Sequence, residues 1–424
     1  LKNKVAAASV TFLLKKILHQ FIIGFMDSRK IKHQTFTHIP VYSGDVSGAA
    51  SALYEFGGMT VIHDPSGCNS TYNTHDELRW SKRESAIYIS GLRESDAVNG
   101  NDDRLINDTV WAALSLEKRP AYIALCNSPV PDIIGTDFHS IAKIIEKKSG
   151  IPTFYIRTNA MHDYTHGASN AFYKIAEEFP SPHSTPTSPK HIPSGRIRAN
   201  LLGLTPFEYP YDSQVDAIYD LLESNGFEIH ANWGKGTAKH PVSFDDIQKA
   251  PDADVNLVLS SSGIKAAGFL EAAYGIPYII GDPLVLKNIS DYMSPASGII
   301  SNRNVYMQIL GESQWKIRNE NYPQTAFIGE PVTMGSEAAA YALRHPDRKV
   351  RLICTTETTE HLISHEVICP RGEAEIAESI MQMSEIHGDP LMKHATSDGV
   401  HGFDPAKQTW VDQPHLAMSG RMFI

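Results

Sequence analysis

Cysteine is scarce in this chain of 424 residues: four in all, at positions 68, 126, 354 and 369. So few, so widely spaced, exclude a disulfide framework for a chain of this size. They read as reduced thiols of a cytoplasmic protein, some of them candidate ligands. Positive charge is in deficit as well. Lys and Arg number 38 against 48 Asp and Glu, a formal charge of −10, which argues against nucleic acid or an anionic membrane as the main partner. No clean apolar run spans a bilayer. The nearest, VTFLLKKILHQFIIGFM, is broken by Lys15, Lys16 and His19, and its apolar residues from Val10 to Phe25 recur at helical spacing. A helix lying on the body of the protein is expected there, not a membrane span. The chain does not start with Met and shows no small-residue cleavage site, so no signal peptide is expected. Nucleotide signatures are missing too. GKGTAKH at 234–240 has the wrong spacing for G-x(4)-G-K-S/T, and no G-x-G-x-x-G opens a helix. The chain itself is therefore not expected to hydrolyse ATP or to carry a dinucleotide by these devices.

What is present is a rhythm of short apolar runs and helix-period segments. MTVIH (59–63), AYIALC (121–126) and TFYIRT (153–158) read as buried strands, with Cys126 following a strand 121–125. DFHSIAKIIEKKSG (137–150) reads as a helix that starts on an Asp, ends on lysines and stops at Gly150. The stretch 179–195, with five prolines among Ser, Thr and His, is a linker or surface excursion. After it the pattern resumes: RANLLGL, FEIHANW, VNLVLS and IPYIIG as strands, DSQVDAIYDLLESNG and KAAGFLEAAYG as helices. TAFIGEP, a helix from about Ser336 to Arg344, and VRLICT follow. The phrase helix, Gly, Ile-Pro, strand occurs twice, at GIPTFYI and GIPYIIG, and is the helix-to-strand return of an open parallel sheet. The expected fold is three tandem doubly wound α/β domains. Residues 1–36 form an N-terminal arm, 37–180 the first domain, 181–195 the linker, 196–300 the second domain, and 301–424 the third domain and tail.

Function in such sheets gathers at the carboxyl ends of the strands. HDPSGC brings Cys68 to one such end, and LCNSPVPDIIG brings Cys126 to its neighbour. The order Tyr42-Ser43-Gly44, a glycine-dotted helix, strand–HDPSGC, then strand–CNSPVPDIIGTD resembles the first domain of the nitrogenase component 1 family. NLLGLTPF, VNLVLS and EAAYGIPY are similar to its second domain, and TAFIGEP to the opening of its third. The likeness covers roughly residues 37–345, and the tail, with HGDPLMKHA and PHLAMSGR, departs from it.

The resemblance implies that Cys68 and Cys126, beside Gly67, are thiolate ligands of an iron–sulfur cluster at a subunit interface. Structural core thiols are the alternative. The family's upstream cysteine falls near Pro40, and no Cys occurs between residues 1 and 67. Two thiols per chain suit a single 4Fe-4S cluster shared by a homodimer. A heterodimer with a paralogous subunit is the competing arrangement, and Asp45 or Asp64 is a candidate oxygen ligand. The position at which nitrogenase holds its active-site metal cluster matches Leu259 to Ser261, with no Cys. The resemblance therefore implies a nitrogenase-like oxidoreductase acting on an organic molecule or a tetrapyrrole rather than on dinitrogen. Its electrons would come from a separate ATP-dependent iron protein. A non-catalytic scaffold for metal-cluster or metallocofactor assembly is the second reading.

Three further features carry chemistry. NAMHDYTHGASNAF offers His162 and His166 as proton donors to a reduced substrate, or as ordinary loop residues. HLISHEVIC would put His361, His365 and Cys369 on one face if it were helical, a set suited to a soft metal. The same run could instead be helix then strand. Cys354 ends a strand and reads as core, and the tail around His415 could close over a site or merely tie the chain down.

Overall fold

The computed structural model describes residues 42–65, 87–100, 102–180, 196–285, 304–315, 323–357, 367–370, 372–395 and 402–419. The N-terminal arm, Gly67, Cys68, the prolines of 181–195, His361 and His365 lie outside the described residues.

Among the described residues three sheets form, and every strand pair in them is parallel. The first contains β1 (Met59–His63), β2 (Ile87–Ile89), β3 (Ile123–Asn127) and β4 (Thr153–Ile156) in the order β2-β1-β3-β4. The second contains β5 (Ile197–Leu204), β6 (Phe227–Gly234), β7 (Val255–Val258) and β8 (Tyr278–Ile280) in the order β6-β5-β7-β8. The third contains β9 (Gln324–Gly329), β10 (Lys349–Cys354), β11 (Val367–Ile368), β12 (Glu385–Gly388) and β13 (Thr409–Asp412), ordered β11-β10-β9-β12-β13. Burial explains the parallel pairing: β1, β3 and β7 are buried at every residue, as strands covered on both faces by helices must be.

Most helix ends obey the local signals. Phe138–Ser149 starts on Asp137, whose carboxylate accepts from the Ser140 N–H, and stops at Gly150 in the left-handed region. The helix after β9 runs Pro331–Arg344, five residues longer than the sequence suggests. Pro331 sits at its first position and Glu330 caps it, a start that periodicity alone does not reveal. In the first sheet β3 reaches Asn127, so Cys126 lies inside the strand rather than in the loop beyond. Val367–Ile368 is a strand, so no continuous helix carries Cys369 on the same face as His361 and His365.

Two helices of the first domain cross with unusual intimacy. Asp45–Leu53 lies against Tyr164–Glu178 at two glycines, where a β-carbon on Gly48 would sit 1.9 Å from the Tyr164 carbonyl oxygen, and one on Gly167 1.7 Å from that of Asp45. This contact fixes the helix that starts at Asp45 against the helix that carries His166. One apolar cluster runs without interruption through all three domains, from Val46 and Ile62 through Leu201 and Trp233 to Phe327 and Leu352. The tail returns to the beginning: Ser43 donates its N–H to the Ala417 carbonyl at 2.7 Å, and Tyr42 meets Thr355 Oγ1 at 2.8 Å. Among the described residues no helix is long and apolar enough to cross a membrane.

Candidate functional site

The loop after β4 is wound around one carboxylate. Asp45 is fully buried at the start of its helix, and its two oxygens accept from the N–H groups of Asn159 (2.9 Å) and Ala160 (2.7 Å). Ala160 is held at φ +57°, a left-handed conformation that a non-glycine residue adopts only when its surroundings fix it. Asp45 also donates its own N–H to the His162 carbonyl at 3.0 Å. Burial pushes the Asp45 carboxyl up to about 6, against the pull of the two backbone bonds and His162.

Asp163 is the next pivot. It caps the helix Tyr164–Glu178, accepting from the Thr165 N–H at 2.9 Å, and its second oxygen accepts from the Glu357 N–H at 2.7 Å. One carboxylate thus joins the first domain to the loop after β10 in the third. Burial and the neighbouring Glu357 charge raise it to about 6.

On this frame stand His162, His166 and Glu357. His162 Nδ1 lies 2.9 and 3.1 Å from the two Glu357 oxygens. That bond raises the imidazole's affinity for its proton, against the opposing effect of burial. The His166 ring stacks on His162 with centroids 4.0 Å apart. Burial, with the charge on His162 next, pushes His166 down to about 3, so it stays neutral. One ring is thus biased toward its protonated form and the other toward its neutral form. Behind His166, Asn170 Nδ2 lies 3.4 Å from Nδ1, and Lys265 Nζ of the second domain holds Asn170 Oδ1 at 3.0 Å. All three domains reach this point.

A second polar band lies where the second and third sheets meet. Glu330, wholly buried, accepts from the N–H groups of Ser261 (2.8 Å), Val332 (3.0 Å) and Thr333 (2.8 Å). Glu208 beside it is raised to about 8 by burial and by the Glu330 charge. On the tail side Tyr164 OH meets His415 Nε2 at 3.2 Å, and burial pushes His415 down to about 4.

Of the residues singled out from the sequence, His162 and His166 are brought together. Glu357 completes them and was missed, although it sits three residues beyond the end of β10, where parallel sheets place their chemistry. Asp64 is buried and held through its backbone by Ser90 Oγ and by the Leu92 N–H. Cys126 has no exposed surface and belongs to the apolar core with Ile62 and Ile156. Burial, with Asp45 nearby, pushes its thiol up to about 12. Its position near the carboxyl end of β3 suits a cluster ligand. Cys354 is buried and lends its thiol to the Thr356 carbonyl at 3.4 Å, while Cys369 is partly exposed just after β11.

Comparisons with known proteins agree on the family. The model of the family described as nitrogenase component 1 type oxidoreductase matches residues 45–308. The nitrogenase iron-molybdenum cofactor biosynthesis protein NifE of Klebsiella pneumoniae is 23% identical over 258 residues, covering 57% of this chain and 52% of that protein. The light-independent protochlorophyllide reductase subunit N of Oltmannsiellopsis viridis is 22% identical over 233 residues, 53% of this chain and 39% of the relative. The chain thus spans about half or less of the length of these curated relatives. A solved nitrogenase Cp1 structure at pH 6.5 superposes with a TM-score of 0.60 at 14% identity over 92% of this chain and 89% of its own, a likeness of fold.

Proposed function

The chain belongs to the nitrogenase component 1 type oxidoreductase family, and from that premise we propose that it is a catalytic-component subunit of a two-component, nitrogenase-like reductase. Its substrate is a small organic molecule or a tetrapyrrole, bound where the three domains converge. Its electrons come from a separate ATP-dependent iron protein, as the family membership implies. The observation that carries this reading is the junction itself. His162, His166 and Glu357 stand partly buried at the carboxyl ends of β4 and β10, on a backbone frame fixed by Asp45 and Asp163.

The residues divide the work. His162, charged and hydrogen-bonded to Glu357, donates a proton to a substrate as electrons raise its basicity, and Glu357 stabilises the charged ring until then. His166, held neutral, accepts a hydrogen bond. Cys126 and Cys68, with Gly67 beside Cys68, would hold a 4Fe-4S cluster, shared by two copies of this chain or with a paralogous subunit; such a group supplies one-electron relay. Asp45, whose two oxygens each accept one backbone N–H, and Asp64 are the candidate oxygen ligands.

A second reading is non-catalytic assembly of a metal cluster or metallocofactor. The likeness to a cofactor biosynthesis protein favours it.

Anaerobic purification with iron and sulfide analysis tests the cluster, repeated on Cys126→Ala and Cys68→Ala. The expected result is iron and sulfide in the parent and their loss in either variant. A colourless, iron-free parent, or full iron in Cys126→Ala, defeats the assignment. Turnover separates the two readings: a reductase consumes ATP and reductant for each substrate changed, whereas an assembly protein gives up its cargo intact.

A further inference from the structure

His162, His166 and Glu357 form a donor set that electron relay does not require. One ligating atom from each lies within 4.8 Å of the other two, and all three side chains are partly buried. We infer that these residues bind a divalent first-row transition ion, zinc or ferrous iron, at the junction of the first and third domains.

The donor types select the ion. Two imidazoles and one carboxylate suit zinc and ferrous iron, whereas calcium and magnesium prefer oxygen alone. Donors about 2.0–2.1 Å from a tetrahedral ion lie about 3.4 Å from one another. The His162–Glu357 pair, at 2.9 and 3.1 Å, is already near that spacing. His166 closes the remainder by turning its side chain out of the 4.0 Å ring stack. It sits in the first turn of its helix.

The ligands are also held from behind as one hydrogen-bonded unit. The His162 carbonyl accepts from Asp45 at 3.0 Å, and Asp163 ties the Glu357 N–H at 2.7 Å to the helix carrying His166. Asn170, fixed by Lys265 through Oδ1, stands with Nδ2 within 3.5 Å of both His166 ring nitrogens and packs against the imidazole. Negative charge gathers on one side, from Glu357 with Asp45 and Asp163 close by, and Lys265 and Arg157 lie on the His166 side. Three protein ligands leave a coordination position open to water or substrate. In the metal-free chain His162 keeps its proton and its acid role, and the ion takes the place of that proton.

The site uses neither Cys68 nor Cys126 but shares His162, His166 and Glu357 with the proposed proton-donor role, so the readouts are kept apart: no ion uptake removes the metal site and leaves the cluster assignment, whereas an iron-free parent removes the cluster assignment and leaves the metal site. The test is a calorimetric titration of the chelator-stripped full chain with Zn2+, and a visible spectrum with Co2+. One ion per chain is expected, with cobalt ligand-field bands and no thiolate-to-cobalt charge transfer. Glu357→Gln, which keeps the side chain's shape, and His166→Ala should each weaken Zn2+ binding by more than the about 10–100-fold that loss of an outer-shell partner costs. The double variant Cys68→Ala/Cys126→Ala should bind as the parent does. Zn2+ should raise the thermal midpoint of the parent and not that of Glu357→Gln, a comparison that also reports whether the variant folds. No uptake by the parent, or unchanged affinity in both ligand variants, overturns the site.

Discussion

Asp45 shows how a single side chain can be legible in type and hidden in role. A buried acid at the head of a glycine-dotted helix is conspicuous in the sequence. Its partners, the amides of Asn159 and Ala160, lie 114 and 115 residues away, and no spacing rule reaches them. Asp45→Ala leaves both amides without acceptors, so a loss of about 2–4 kcal/mol is expected, read from denaturant midpoints. Proteolysis within 157–163 should quicken with it. A midpoint within 0.5 kcal/mol of the parent (roughly the scatter of neutral surface changes) contradicts this account. Two other side chains set opposite pH limits. His415, pushed down to about 4 from 6.5 by burial, takes up a proton later than it does in the unfolded chain. Its contribution is complete above about pH 6.5 and is lost as the pH falls toward 4. Glu208, raised from 4.5 to about 8, releases its proton later than in the unfolded chain. Its contribution is complete below about pH 4.5 and is lost as the pH rises toward 8. Urea midpoints of the parent should therefore drop between pH 5 and 8, and Glu208→Gln should flatten that drop by about 1–3 kcal/mol. Equal slopes in the two proteins exclude Glu208 as the cause.

Among the elements, the crossing of Asp45–Leu53 on Tyr164–Glu178 has the sharpest consequence. Gly48→Ala and Gly167→Ala each drive a methyl into a main-chain carbonyl, and a cost of about 3 kcal/mol or more is expected. Gly268, mid-helix with nothing within 4 Å of its added β-carbon, is the internal control. Its replacement by Ala should stabilise by about 0.5–1 kcal/mol, so thermal melts of the three variants should move in opposite directions. The sequence carried the elements well where a strand was short, apolar and bounded by Gly, as at Met59–His63. It was less telling where tertiary contacts set the ends. Cys126 joins β3 because Asn127, one residue on, pairs with His63 in β1. Val367–Ile368 is a strand only because β10 lies alongside.

Across the molecule, the family resemblance rested on the order of loops and strands, and two of the three parallel sheets carry the helix–Gly–Ile-Pro–strand return. The candidate site was half visible. His162 and His166 stand four residues apart in one loop-and-helix start, whereas Glu357 comes from 195 residues downstream and joins them only through the packing of one domain on another. Glu330 performs a similar joining between the second and third domains. Glu330→Ala strips the acceptor from Ser261, Val332 and Thr333, and a loss of about 3 kcal/mol or more is expected. Hydrogen exchange at the Ser261 amide should accelerate, and protection equal to the parent's would rule out the bridge.

The contact of Ser43 with Ala417 spans 374 residues of chain. A ribosome that has just released the leading domain must synthesise nearly all the rest before that carbonyl exists. Until then Tyr42 and Tyr164 have no His415 beside them, and the aromatic surface around them is open to water and to other nascent chains. Maturation of the first third of the molecule is thus expected to wait upon translation of its last, the stage at which holdase chaperones should bind it most strongly.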